Sequence, residues 1–406
     1  MTATDPARPV EPQGEPLLQV RDLSTEFRSE RGTVHAVRGV SFDLHRGRTL
    51  GIVGESGSGK SVLSRSVMGL IASNATRTGS VRFDGTEILN ASSKTMRSYW
   101  GDQMAMVFQD PMTALNPVLR VEAQITESLF EHLDLTKAQA KATALELLRS
   151  VGIPEPERRL RMYPHEMSGG MRQRIMIAIA VACGPKLLFA DEPTTALDVT
   201  VQAQILDLLQ AMQQDRQMAM ILVTHDLGVV AGRAQDIAVM YAGQVVEMAP
   251  AASLFAKVRH PYTEALLRSI PKLDMAKHTR LEAIGGRPPD MVNLPPGCKF
   301  APRCAYAQDR CLVEEPVLTA GDDPAHAFAC HFPVSVTLQS TTGTKAAADR
   351  KAPSGQKTSA STEPPAPDPD DVPAREAPAV PQADRGGITV DGRPPRVDGP
   401  DHEGSN

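Results

Sequence analysis

Aromatic residues make up only 4% of the 406-residue chain, so the stacking platforms that hold single-stranded nucleic acids have little to be built from. Positive charge does not compensate. The formal net charge is -5, the wrong sign for an electrostatic footprint on a phosphate backbone, and nucleic acid is not an expected partner. Long apolar runs are missing too. The longest, residues 175–183 and 186–190, fall short of the roughly 20 residues a membrane-spanning helix needs. Residues 1–16 mix Asp5, Glu11 and Glu15 with prolines and have no apolar stretch of the secretory-signal kind. The chain is therefore expected in the cytosol, reaching a membrane only through other proteins. Its five cysteines are few, and in a reducing compartment they read as metal ligands or core residues, not disulfides.

What is present suits a large globular enzyme, since a 41% hydrophobic fraction over this length supplies a sizeable core. Residues 1–16 and 336–406 are dominated by Pro, Ala, Ser, Thr and Asp and are expected to be disordered. Residues 17–270 read as one α/β domain. β-type segments at 17–23, 34–44 and 81–84 surround a strand at 50–53, which runs into a Gly-rich turn and a helix. About residues 110–168 the pattern turns helical: Thr136 and Gln139 form a capping box, Ala140, Ala144, Leu147, Leu148 and Val151 share a face, and Gly152 closes the helix. Alternation then resumes with a helix after Gly170, a strand at 187–190, a helix bearing Val201, Ile205, Leu208, Leu209 and Met212, and a strand at 220–223. A hairpin is expected at 236–247, turning at Ala242 and Gly243, then a helix near 263–269 and a smaller cysteine-bearing region at 271–335. No internal repeat is evident.

The run Gly54-Glu55-Ser56-Gly57-Ser58-Gly59-Lys60-Ser61 fits G-x-x-x-x-G-K-[ST] directly after an apolar strand, the context a phosphate-binding loop requires. Glycines let successive N–H groups converge on phosphate oxygens, Lys60 can reach the outer phosphates, and the Ser61 hydroxyl suits Mg²⁺. A second apolar strand ends in Asp191 and Glu192, placing one acid for the metal and one for the terminal phosphate. Such a pair alone would equally serve as a helix cap. Ser168, Gly169 and Gly170 precede a helix bearing Arg172 and Arg174, an arrangement suited to an anion or to plain capping. No N-K-x-D guanine motif occurs, which argues against a GTPase.

The ordered set of the glycine loop, Gln109, Ser168-Gly169-Gly170, Asp191-Glu192, Ala196-Leu197-Asp198 and His225 resembles the nucleotide-binding subunit of an ABC transporter. The runs from Tyr163 to Arg174 and from Asp191 to Thr200 are similar to the dipeptide and oligopeptide permease branch, over about residues 17–335. The resemblance implies a P-loop NTPase with a RecA-like parallel core, an antiparallel β subdomain and a helical insertion. It implies ATP and Mg²⁺, with Ser61, Gln109 and Asp191 on the metal, Glu192 as the base for water, His225 on the γ-phosphate, and Phe27 stacked on adenine unless that ring only packs in the sheet. Ser168, Gly169 and Gly170 would complete the ATP site of a second, homologous ATPase chain, and Asp198 would link the two sites. Met171 stands where the broad family has Gln. The implied assembly adds two integral membrane permease subunits and an extracellular solute-binding protein, with this chain peripheral on the cytoplasmic membrane face. The expected activity is ATP hydrolysis driving import, of dipeptides or oligopeptides by resemblance, with nickel or other solutes open.

Cys298, Cys304, Cys311 and Cys330 are spaced C-x5-C-x6-C-x18-C, with Lys299, Arg303 and Arg310 expected to offset thiolate charge. Four soft ligands suit zinc or an iron–sulfur cluster, and the lack of C-x2-C knuckles leans away from zinc. The resemblance implies a [4Fe–4S] cluster, with zinc or no metal as alternatives. Cys183 reads as a small core residue.

Overall fold

The computed structural model of the protein describes residues 14–195, 197–270 and 284–335; the expected 336–406 tail and most of the N-terminal segment lie outside them. The strands, in chain order, are β1 (Leu18–Ser29), β2 (Gly32–Leu44), β3 (Thr49–Val53), β4 (Ala75–Phe83), β5 (Thr86–Glu87), β6 (Met104–Val107), β7 (Leu187–Asp191), β8 (Ala219–Thr224), β9 (Asp236–Tyr241), β10 (Gln244–Pro250), β11 (Thr319–Ala320) and β12 (Ala327–Phe328). They form an antiparallel sheet in the order β2-β1-β4-β5 and a main sheet in the order β11-β12-β10-β9-β3-β8-β7-β6. Strands β9, β3, β8, β7 and β6 run parallel. This is the α/β architecture that the alternating pattern implies.

Core strands are apolar on both faces because both faces are covered. Leu187, Phe189, Ile221 and Val223 pack with Leu18, Val20 and Phe83 of the antiparallel sheet. Their neighbours Leu188, Ala190, Met220 and Leu222 join Ile125, Leu148 and Ile175 from the helices. The helical stretch resolves into Val121–His132, Lys137–Ser150 and Pro156–Arg159. The Thr136–Gln139 capping box is formed in both directions, and Gly152 follows in the left-handed region at φ 71°. The β9–β10 turn also falls where expected: Ala242 (φ 48°) and Gly243 (φ 81°) are both left-handed, the backbone of a tight primed hairpin turn.

Two features depart from the sequence pattern. Strand β6 is four consecutive apolar residues, too short to carry a periodicity. The cysteine-bearing segment also extends the main sheet, because β12 pairs antiparallel with β10 at Glu247↔Phe328. Glu247, fully buried, anchors that junction. Its carboxylate accepts from the backbone N–H groups of Arg259 (2.7 Å) and His260 (3.0 Å) and pairs with His326 Nε2 (2.7 Å). Buried carboxylates are tolerated when satisfied in this way.

Candidate nucleotide site

The glycine loop leaves β3 and enters the helix Lys60–Met68. A Cβ on Gly54 would stand 2.2 Å from the Met240 carbonyl, and one on Gly59 (φ 101°) 2.3 Å from that of Ala36. Only glycine fits at either point. Lys60 is buried at 4% exposure, and its Nζ donates to the carbonyls of Gly54 (2.7 Å) and Glu55 (3.0 Å). Burial lowers the Lys60 pKa, opposed by Glu192 and Asp191.

The Ser61 hydroxyl donates to Asp191 Oδ1 at 2.7 Å. The other oxygen of this fully buried carboxylate accepts no hydrogen bond, and Arg65 is 3.9 Å from it. Burial raises the Asp191 pKa, more than the Ser61 bond lowers it. An orphaned carboxylate oxygen beside a hydroxyl is a donor set that fits a hard divalent cation such as Mg²⁺.

Glu192 leaves β7 in the left-handed region, φ 45°, while its N–H still bonds to the Val223 carbonyl at 3.0 Å. A non-glycine residue there costs about 1–3 kcal/mol and is kept where the surroundings fix it. The turn carries its carboxylate to Gln109 Nε2 (3.1 Å), Thr195 Oγ1 (3.1 Å), His225 Nδ1 (3.5 Å) and Lys60 Nζ (3.8 Å). Contact with His225 holds the Glu192 carboxyl below its ordinary pKa, and the same contact raises that of the imidazole. The ends of four strands thus deliver Lys60, Ser61, Gln109, Asp191, Glu192 and His225 to one place, across separations of 83 residues for Gln109 and Glu192 and 130 for Ser61 and Asp191. Thr195 joins them although its sequence context does not single it out.

Other expected residues lie apart from this cluster. Ser168 caps the helix Gly169–Ala180, accepting from Met171 N at 3.3 Å, and a Cβ on Gly169 or Gly170 would meet Leu197 or Val201. Asp198 caps the helix Val199–Arg216, accepting from Thr200 and Val201 N–H. Phe27, half-buried on β1, pairs with Val34 and Ala75.

Cys298, Cys304, Cys311 and Cys330 line one cavity together with His260, Phe300 and His331. All are free thiols. Among the described residues no group of three or more His, Cys, Asp or Glu is arranged to hold a metal ion. Of the three neighbouring bases, Lys299 favours the Cys298 thiolate and Arg310 interacts with Cys311, as expected, but the hydrogen bonds of all three go elsewhere. Lys299 bonds to backbone carbonyls and Glu315, Arg303 to Glu55, and Arg310 to Glu314. A guanidinium gains more from a forked carboxylate than from a neutral thiol. Burial accordingly raises the pKa of Cys298, Cys304 and Cys330, the last to about 11. Cys183 packs against the core and donates to the Ser128 carbonyl.

A glycine loop of the phosphate-binding pattern at the end of a parallel strand, with a buried lysine and an acid pair from a neighbouring strand beside it, is the architecture of a P-loop nucleoside triphosphatase, and the surrounding cassette is an ABC-type ATPase. Residues 37–195 match the family described as ABC transporter, and residues 246–311 match the oligopeptide/dipeptide transporter C-terminal region. Among solved structures, the dimeric post-hydrolysis ATP-binding cassette MJ0796 bound to ADP and Pi superposes with a TM-score of 0.53 at 25% identity, covering 58% of this chain and 98% of that one. The oligopeptide transport ATP-binding protein OppD of Bacillus subtilis is 51% identical over 74% of this chain and 84% of its own length. The dipeptide transport ATP-binding protein DppD of Escherichia coli is 49% identical over 78% and 97%. The chain belongs to this family of oligopeptide and dipeptide transport ATP-binding proteins. Among the described residues no helix is long and apolar enough to cross a membrane.

Proposed function

We propose that this chain energises the import of dipeptides or oligopeptides, working at the cytoplasmic face of the membrane with two permease subunits, an extracellular solute-binding protein and a second, homologous ATPase chain. The observation that carries this reading is 47–51% identity to peptide-transport ATPases over most of the chain, joined to the convergence on Glu192. Backbone N–H groups from Gly54 to Ser61, including Ser56, Gly57 and Ser58, bind the phosphates, and Lys60 swings from its carbonyl partners to the outer oxygens. Ser61, Asp191 and Gln109 hold Mg²⁺, which neutralises charge on the phosphate oxygens when bound. Glu192 orients water and takes its proton, Gln109 and His225 hold Glu192 in line, and Phe27 packs on adenine. Ser168, Gly169 and Gly170 close the partner chain's site, with Asp198 between the two, so hydrolysis waits for closure.

Docking to the permease falls to the helical insertion. Met112, Val118 and Leu119 are exposed there and Phe108 just before it, all within twelve residues of sequence, and exposed apolar groups of this kind suit a contact surface. We assign residues 17–270 to the cassette and 271–335 to a family-type extension. We further propose that the four cysteines bind a [4Fe–4S] cluster. Zinc needs four ligands about 2.3 Å from one point, whereas a cluster holds its sulfurs farther apart around one cavity. Iron and acid-labile sulfide analysis of anaerobically purified protein should return both in cluster ratio; neither would remove the cluster. The transport reading is tested by isolating the intact assembly. Two multispanning chains should co-purify, and peptide with binding protein should stimulate phosphate release. Absence of both would overturn it.

A further inference from the structure

Arg303 lies one residue before Cys304, yet its guanidinium leaves the cysteine cavity and clasps the glycine loop. Its two terminal nitrogens reach the two carboxylate oxygens of Glu55 at 2.6 and 2.9 Å. The side chain is 3% exposed. Its remaining donors are used as well: Nε on the Gly285 carbonyl (2.8 Å), and the terminal nitrogens also on the Ile284 carbonyl (3.2 Å) and the Tyr241 hydroxyl (3.3 Å). The Glu55 backbone is fixed separately, its N–H donating to Tyr262 Oη at 2.8 Å, while its carbonyl accepts from Lys60. Pro288, Pro289 and Met291 of the same segment line a cleft with Glu55, Ser56 and Gly57.

We propose that Arg303 is a positioning residue for nucleotide binding, acting through Glu55. A carboxylate inside a phosphate loop repels the very anion that the loop must hold, by an amount that grows as water is excluded. A forked guanidinium cancels that charge and fixes the loop peptide before nucleotide arrives, so less ordering is left for binding. The cysteine-bearing segment thereby sets the ATP affinity of the loop. The inference rests on the ATPase reading and adds a role to a residue outside every nucleotide motif.

The test is titration of the full-length chain with a fluorescent ATP analogue and Mg²⁺, well below each variant's melting temperature. Wild type should bind, and Arg303→Ala should bind about tenfold more weakly, the usual weight of one charge-assisted pair. Arg303→Lys should be intermediate. The informative variant is Arg303→Ala with Glu55→Gln, which removes the uncancelled charge and should recover most of the lost affinity. In the assembled transporter Arg303→Ala should raise KM for ATP while kcat stays within about twofold. A merely structural Arg303 would lower the melting temperature and leave affinity within twofold, and that result overturns the proposal. Failure of Glu55→Gln to restore binding in the Arg303→Ala background also overturns it. Wild type that bound no ATP would remove the ATPase reading itself, a distinct outcome.

Discussion

The nucleotide site and the cysteine-bearing segment are held in place by different physics. Around the glycine loop, reactive side chains lie at the ends of four of the five parallel strands, whose ladders are buried on both faces. Position there is set by backbone hydrogen bonds, and a side chain can be exchanged without moving its neighbours. Among the described residues the cysteine segment has two strands of two residues, one helix of five, Asp309–Val313, and short turns. Beyond the short β12–β10 ladder, it is attached by side chains: Glu247 with His326, Arg38 with Glu315, and Arg303 with Glu55. Substitution should therefore remove chemistry in the first region and attachment in the second.

The sharpest test of that contrast is Glu192→Gln. Loss of the base should cut ATP turnover in the assembled transporter by about 10²–10⁴-fold while the chain still folds and binds nucleotide, as separate phosphate-release and binding assays would report. A large fall in melting temperature would mean that the sheet does not insulate the site.

Acid should act next, where the cassette walls the cysteine cavity. His260, fully buried, accepts from Tyr262 N–H through Nδ1, which requires the neutral ring, and burial lowers its pKa to about 4. The unfolded chain takes up this proton near pH 6.5 and the folded chain only near 4, so stability is lost as pH falls through that window, by up to about 1.4 kcal/mol per pH unit. Urea unfolding of wild type and His260→Asn, which keeps a capping acceptor, should diverge between pH 6.5 and 4. Parallel slopes would discard this assignment.

Tyr262→Phe comes third. It leaves the Glu55 N–H without its partner and should cost about 1–3 kcal/mol in urea unfolding; no change would break the second link to the glycine loop. The smallest effect is expected at Glu157→Ala. Its pair with Arg149 is exposed on both sides and should leave the urea unfolding midpoint where it is in wild type.

What could be read from the sequence follows the same division. Asp191 and Ser61 are 130 residues apart, yet each sits in a local motif at a strand end, and the parallel core brings strand ends together. The capping box at Thr136 and the turn at Ala242 are local chemistry and equally legible. Arg303 and Glu55 are 248 residues apart, and neither local pattern names the other; beside Cys304 the arginine reads as a counterion for thiolate. The junction of β12 with β10 was hidden because two residues show no alternation. Thr195 escaped notice because its Oγ1 reaches the Glu192 carboxylate only after the turn at φ 45°.

The central claim is that a triphosphate is bound by the loop from Gly54 to Ser61 and anchored by Lys60. Equilibrium dialysis of the full-length chain with radiolabelled ATP and Mg²⁺, wild type against Lys60→Ala, measures it directly. The account predicts saturable retention by wild type and an affinity at least about tenfold weaker in the variant, which loses a charge-assisted contact. Equal retention by the two proteins, or none by wild type, would contradict it.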